Sequence, residues 1–109
     1  DGQKYTNIEK SPQGYLPLEI ELLQNFPYPF NQTTTIQLNL KTAQQVVLKI
    51  YDVQGRIISC SDLGKLPAGK IEVPWTAVNA SGTDLSSGIY YYYVESGTRS
   101  AVKKMVYIR

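Results

Sequence analysis

Between Thr34 and Leu40 the chain alternates, with apolar Ile36, Leu38 and Leu40 separated by polar Gln37 and Asn39. A period of two sends successive side chains to opposite faces, so the segment predicts a β-strand with one face turned to a core. The same texture recurs downstream. Val46–Val53 predicts a second strand with Val46, Leu48 and Ile50 inward, and Arg56–Cys60 a third. Gln54-Gly55 between them reads as a hairpin turn in which glycine supplies a positive φ. Leu63–Ala68 holds Gly64 and Pro67 and reads as a loop. Gly69–Trp75 predicts a fourth strand with Ile71, Val73 and Trp75 on one face. Pro74 cannot donate to a ladder, so this strand ends there or lies on an edge. Asn79–Gly82 is a turn, Ile89–Glu95 a fifth strand, and Gly97 leads into a sixth, Ser100–Ile108. In that last strand Met105 and Tyr107 compete with Val106 and Ile108 for the inner face. Leu16–Leu23 alternates enough for a short edge strand. No segment sustains a helical period, and the spacing predicts an all-β antiparallel sandwich of about seven strands, with a barrel as the alternative. Ile36, Leu38, Leu48, Ile50, Val73, Trp75, Tyr90 and Tyr92 are the expected core.

Ahead of the first strong strand stands a segment of different texture, LLQNFPYPFNQ, Leu22–Gln32. Pro27 and Pro29 alternate with Phe26, Tyr28 and Phe30. Proline fixes φ and pushes the residue before it towards extended conformations. The segment is therefore expected to be a stiff, extended lead-in whose aromatic rings anchor it to the domain. Residues 1–15 show no sustained period and read as a linker or the end of a preceding domain, with the folded unit over 16–109.

Composition narrows the chemistry. The 109 residues suffice for one domain, and 42% are hydrophobic, the usage of a packed core. A net charge of +2 with 18% charged residues gives no reason to expect nucleic acid as a partner. No apolar run approaches the ~20 residues of a membrane span. The start, DGQKYTNIEK, lacks the apolar stretch of a signal peptide, so the chain is either cytoplasmic or a piece of a longer precursor. With no histidine and one cysteine, it has no internal disulfide, no Cys/His zinc site and no histidine-based nucleophile system. Cys60 is expected to be buried and inert, sharing a strand face with Ile58.

Few clusters suggest chemistry. In the run Tyr90–Tyr93, Tyr90 and Tyr92 share one strand face with Val94, and Tyr91 and Tyr93 share the other. Half of the run fits a core and half a wet sheet surface; an exposed parallel row would instead stack sugars. Asp52, followed by Gln54-Gly55, fits an Asx-type turn. Asp84 near Asn79–Gly82 lacks the acidic density of a calcium loop. Asn31-Gln32-Thr33 and Asn79-Ala80-Ser81 match glycosylation sequons, a frequent chance match. Arg99, Lys103, Lys104 and Arg109 gather charge on the last strand, either to solvate its edge or to form a recognition tag. No cofactor or metal is implied.

Taken in order, these segments resemble a family of bacterial C-terminal modules. They are the Ig-like domains akin to that of the flagellar hook-capping protein, and the related type A sorting domains of the type IX (Por) secretion system. Such modules read L-x-Q-N-Y-P-N-P-F-N-P-x-T-x-I, and Leu22–Ile36 here read LLQNFPYPFNQTTTI. The matching positions include Asn25, Pro27, Pro29, Phe30 and Asn31. A Y-D-x-x-G-R segment is matched by Tyr51, Asp52, Gly55 and Arg56. P-A-G-x-x-x-V-x-W is matched by Pro67 through Val73 and Trp75. S-G-x-Y is matched by Ser87, Gly88 and Tyr90, and K-K-M-V by Lys103, Lys104, Met105 and Val106. Tyr28, Gln32 and Thr76-Ala77 depart from the pattern. The resemblance implies an Ig-like sandwich acting as a non-catalytic module of a larger secreted bacterial protein, destined for export or the cell surface. Its partners would be secretion machinery or a cell-surface component, together with the adjacent domain of the parent. Lys103, Lys104 and Met105 are the residues such machinery would read. The alternative is a carbohydrate-binding accessory module of a secreted glycoside hydrolase, using Tyr91, Tyr93 or Trp75.

Overall fold

The computed structural model describes residues 20–109. Seven strands account for the fold: β1 (Ile20–Leu22), β2 (Thr33–Leu40), β3 (Gln44–Asp52), β4 (Ile57–Leu66), β5 (Gly69–Thr76), β6 (Gly88–Ser96) and β7 (Arg99–Tyr107). They form two antiparallel sheets, ordered β1-β2-β5 and β4-β3-β6-β7. β3–β4 and β6–β7 are hairpins within the wider sheet. The connections β2–β3, β4–β5 and β5–β6 each cross between sheets, which is the crossing pattern of an Ig-like sandwich. The expected linker over 1–15, and residues 16–19 of the expected first strand, lie outside the described residues.

Alternation places the core. The inner faces meet through Ile36, Leu38 and Leu40 of β2, Val46, Leu48 and Ile50 of β3, and Tyr90, Tyr92 and Val94 of β6. Met105 and Tyr107 take the inner face of β7, which settles the competition within that strand. Val73 and Trp75 pack against the core but stay partly exposed, because β5 is an edge strand with only β2 beside it. Pro74 fits that edge. Its partner Thr35 exchanges its N–H and C=O with Phe26 instead, so the nitrogen of Pro74 faces outward where no donor is needed.

Three expectations fail, each for a local reason. Leu63–Ala68 is not a loop as far as Leu66. β4 continues through Gly64 because a bulge at Leu63 absorbs the irregularity, and the Asp62 carboxylate accepts the Gly64 N–H at 2.9 Å. Cys60 is exposed, not buried. A second irregularity, at Ile58, shifts the phase of the strand: Ile58 packs against the core while Cys60 falls opposite outward-facing Lys49. The proline segment bends at Pro27–Pro29 instead of running extended, and Phe26 and Tyr28 are 70% and 40% exposed. The Asn25 amide and the Thr34 hydroxyl both bond to the Pro27 carbonyl, at 3.0 and 2.9 Å, and draw the bend inward. Both X–Pro bonds of the segment are cis. Phe30 alone of the three rings is an anchor, 2% exposed.

Phe30 sits between the sheets. Its ring stacks on Tyr107 of β7 at 5.1 Å and meets Trp75 of β5 edge-on at 6.1 Å. Phe30→Ala is expected to cost roughly 3–5 kcal/mol, and half-buried Trp75→Ala less, about 2–3 kcal/mol. Denaturant titration of both variants checks this, and the reverse order would show that β5, not the proline segment, closes this end of the sandwich.

Candidate functional site

The residues of the proline segment converge on one hydroxyl. Tyr92, fully buried on β6, donates its hydroxyl hydrogen to the Leu23 carbonyl at 2.7 Å and accepts the Asn25 N–H at 3.0 Å. The Asn25 amide, 1% exposed, donates to the Thr34 hydroxyl at 2.9 Å as well as to Pro27, and its oxygen accepts from Gln24 at 2.7 Å. Gln24 also donates to the Lys104 carbonyl at 2.9 Å. Further along, Phe30 N–H donates to Val106 C=O at 3.0 Å and Ile108 N–H to Phe30 C=O at 2.9 Å, a short parallel bridge onto β7. The Asn31 amide closes the series on the Ile108 carbonyl at 2.8 Å. The segment is therefore a clasp. It leaves β1 in the narrow sheet, crosses the end of the sandwich and is bonded to β6 and β7 of the wide one.

The other motif residues have local tasks. One Asp52 carboxylate oxygen accepts the N–H groups of Gln54 and Arg56 at 2.9 and 3.0 Å, and the other meets the Arg56 guanidinium at 2.9 Å. The Arg56 N–H, followed by its guanidinium and the Gln54 N–H, holds this carboxyl below the usual range against the opposing effect of desolvation. The turn needs Gly55 because its φ is +84°. Tyr90 donates to the Ser86 carbonyl at 2.7 Å and steadies the approach to β6 from the long β5–β6 connection, beside Gly88 at the strand's first position. Asn79 caps its own turn, accepting from Ser81 and Thr83 at 2.9 Å each.

Lys103, Lys104 and Met105 do not form one surface. Lys104 lies opposite outward-facing Tyr91, whereas Lys103 lies opposite buried Tyr92 at the rim of the inner face. Met105 is wholly buried, so it holds β7 in place and offers nothing to a partner. Sequence reasoning missed Tyr92, Thr34 and Gln24 as members of the clasp network. Alternation put Tyr92 inside, but nothing local in sequence says that its hydroxyl meets a segment 67 residues away.

The outer face of the wide sheet carries the remaining aromatic residues. Tyr51, Tyr91 and Tyr93 are half-buried there, and with Asp52, Val53 and Val102 they line an open groove of about 530 Å³. Tyr51 and Tyr93 meet edge-to-face at 65°, and Trp75 is turned onto Phe30. The rings thus lack the parallel exposed row that stacking of sugars requires. Lys49 and Glu95 pair on this face at 3.0 Å, and the hydrogen bond to Glu95 raises the lysine's pKa. Among the described residues no group of three or more His, Cys, Asp or Glu could hold a metal ion, and no helix is long and apolar enough to cross a membrane.

This architecture is matched by the family model of the FlgD Ig-like domain over residues 26–100, from within the clasp to the start of β7. The chain belongs to that family. Solved structures similar to this FlgD-type Ig-like domain include latent dimeric PorU from Porphyromonas gingivalis. That match has 24% identity and a TM-score of 0.67 over 87% of this chain and 10% of the PorU chain. PorZ, a surface component of the type IX secretion system of the same organism, matches at 22% identity and a TM-score of 0.56, over 79% of this chain and 11% of its own. FlgD from Xanthomonas campestris, a hook-capping protein, matches at 18% and 0.55, over 83% of this chain and 62% of its own. The chain thus spans about a tenth of the PorU and PorZ chains, and at these identities the likeness is one of fold. No curated protein matches the sequence.

Burial pushes the Tyr92 phenol up to about 12, partly offset by the Asn25 N–H. The folded state therefore favours the neutral phenol. The associated stability is complete below the ordinary value of 10.0 and is lost as pH rises from there towards about 12. Tyr92→Phe is expected to cost roughly 1–3 kcal/mol, because it leaves the part-buried Leu23 C=O and the buried Asn25 N–H without their partner. It should also flatten the alkaline loss of stability. Denaturant midpoints measured across that pH range check both, and a variant with unchanged midpoint and an unchanged alkaline slope would remove Tyr92 from the centre of the clasp.

Proposed function

We propose that this domain is a non-catalytic module of a larger exported bacterial protein and acts in that protein's sorting or its attachment to the cell surface. In this reading residues 16–109 form the module, and residues 1–15 lead to it from a neighbouring domain. The observation that carries the reading is the family membership, taken with the small fraction of PorU and PorZ that shares this fold. A unit of this size recurring inside chains about ten times longer is an appendage to another activity. The chemistry of the domain agrees: the motif residues of the clasp and of the Asp52 turn are engaged in holding the sandwich together. PorZ is a component of type IX secretion, and that system is the context in which this module would be recognised.

Within the reading, Lys103 and Lys104 are the groups for machinery to engage, and Met105 supports them from the core. Lys104 is exposed and Lys103 partly so, and neither has an ion-pair partner among the described residues.

The test is a fusion of the 109-residue chain to a reporter enzyme in a host that has a type IX system. Surface delivery of the fusion is expected, and Lys103→Ala/Lys104→Ala should lower it several-fold while the cooperative melt is retained. Full delivery by the double variant would take the recognition role from these lysines. Periplasmic retention of the unmutated fusion would reject the sorting role altogether.

A further inference from the structure

Among the described residues the sandwich has four sheet edges, and three are guarded against a further strand. β5 presents the donorless nitrogen of Pro74. β4 is broken by irregularities at Ile58 and Leu63, and the Ala80 N–H bonds to its Ile58 carbonyl at 3.2 Å. β1 is three residues long among the described residues. Proline, bulges and brevity are the usual means of blunting an edge.

β7 has none of them. It is nine residues long and pairs with β6 without a break in register. The clasp covers its C-terminal part, through Phe30 at Val106 and Ile108 and through Gln24 at Lys104. Those bonds fix the phase of the strand: even-numbered residues of β7 turn their backbone groups away from β6. Ser100 and Val102 therefore direct N–H and C=O away from β6, as Lys104 directs its N–H; β1 lies close to β7, but neither it nor any other described residue bonds to these groups. Ser100 is exposed and Val102 is 48% exposed.

The side chains around this gap are of one sign. Arg99, Lys103 and Lys104 belong to it, β7 contains no acidic residue, and none of the three cations is ion-paired among the described residues. Glu95, the nearby acid on β6, is taken by Lys49. Val102 also borders the groove lined by Tyr91 and Tyr93. A strand laid beside β7 would place a side chain next to Val102, where it extends that apolar surface.

We propose that the open edge of β7, Arg99–Lys104, is a strand-addition site for an extended, acidic segment of a partner protein. Main-chain bonds to Ser100, Val102 and Lys104 supply the docking, carboxylates answer the three cations, and an apolar residue opposite Val102 sets the register. A second copy of this chain is disfavoured, since pairing β7 with β7 would bring six uncompensated cations to within about one strand spacing, ~4.8 Å. The proposal names how the β7 surface of the sorting reading would be engaged. It rests on that reading only for where the partner resides, and it can fail in solution while reporter delivery succeeds.

The test uses the full 109-residue chain and an acetylated octapeptide, Glu-Thr-Glu-Val-Thr-Val-Glu-Thr, with a counterpart carrying lysine in place of every glutamate. Amide exchange is followed by NMR. At saturating acidic peptide the Ser100, Val102 and Lys104 amides should slow about tenfold or more while those of Lys70 and Glu72 on β5 do not change. The basic peptide should not bind, and Lys103→Glu/Lys104→Glu should weaken binding of the acidic one by about tenfold or more. Val102→Pro, which removes an outward N–H and no bond to β6, should also weaken it; if that variant fails to fold, the charge-reversal variant decides. Equal binding of both peptides, or protection away from β7, overturns the proposal. So does protection of Ser100 and Val102 in the free chain: protection dependent on protein concentration would mean a second copy occupies the edge, and protection independent of it would mean the chain's own residues 1–19 do.

Discussion

The two hydrogen bonds at the Tyr92 hydroxyl are the joint on which this sandwich depends. Two sheets packed face to face are held mainly by apolar burial, which is strong and non-directional. It does not by itself fix how one sheet is placed on the other. A buried hydroxyl that must find partners does fix it, because leaving the Leu23 carbonyl and Asn25 N–H unpaired away from water is costly. Tyr92 belongs to the wide sheet and its two partners follow directly on β1 of the narrow one. The Asn25 amide then passes the constraint to Thr34 at the start of β2 and to the bend at Pro27. From there Phe30 delivers the chain to the outer edge of β7. One satisfied polar network thus sets the sheet-to-sheet placement, the path of the clasp and the half of β7 that is covered.

That arrangement gives the dense sequence motif of this domain a structural task. Asn25, Phe30 and Asn31 are used inside or at the rim of the fold, as are Asp52, Gly55 and Arg56 in the hairpin turn. The surface left over has two distinct characters. The outer face of the wide sheet is aromatic and carries the ion pairs Lys49–Glu95 and Asp52–Arg56. The N-terminal half of β7 is cationic, with free backbone groups. β7 combines outward backbone groups with cations that have no ion-pair partner among the described residues.

Much of the strand pattern was legible because it depends on nearest neighbours. Alternation set the inner faces of β2, β3 and β6, Gly55 set the hairpin, and Pro74 marked an edge. The errors occurred where one residue changes the phase of a strand. A bulge at Ile58 sends Cys60 outward, and another at Leu63 lets β4 run past Gly64, although the local composition suggests a loop. Those outcomes depend on what β3 offers across the ladder, which the sequence of β4 does not contain. The order of motifs identified the family, because five spaced matches constrain far more than any one.

Sequence alone therefore determined the all-β class, the approximate strands, the turn chemistry at Asp52 and the absence of histidine-based chemistry. The tertiary structure alone decided three further things: that Phe30 and not Phe26 or Tyr28 is the anchor, that Lys104 and not Lys103 takes the outer face of β7, and that the motif asparagine is held by a tyrosine 67 residues away. The physical reason is range. Periodicity and turn preference act over a few residues, whereas the pairing of a buried hydroxyl with its backbone partners exists only once two sheets have been brought together.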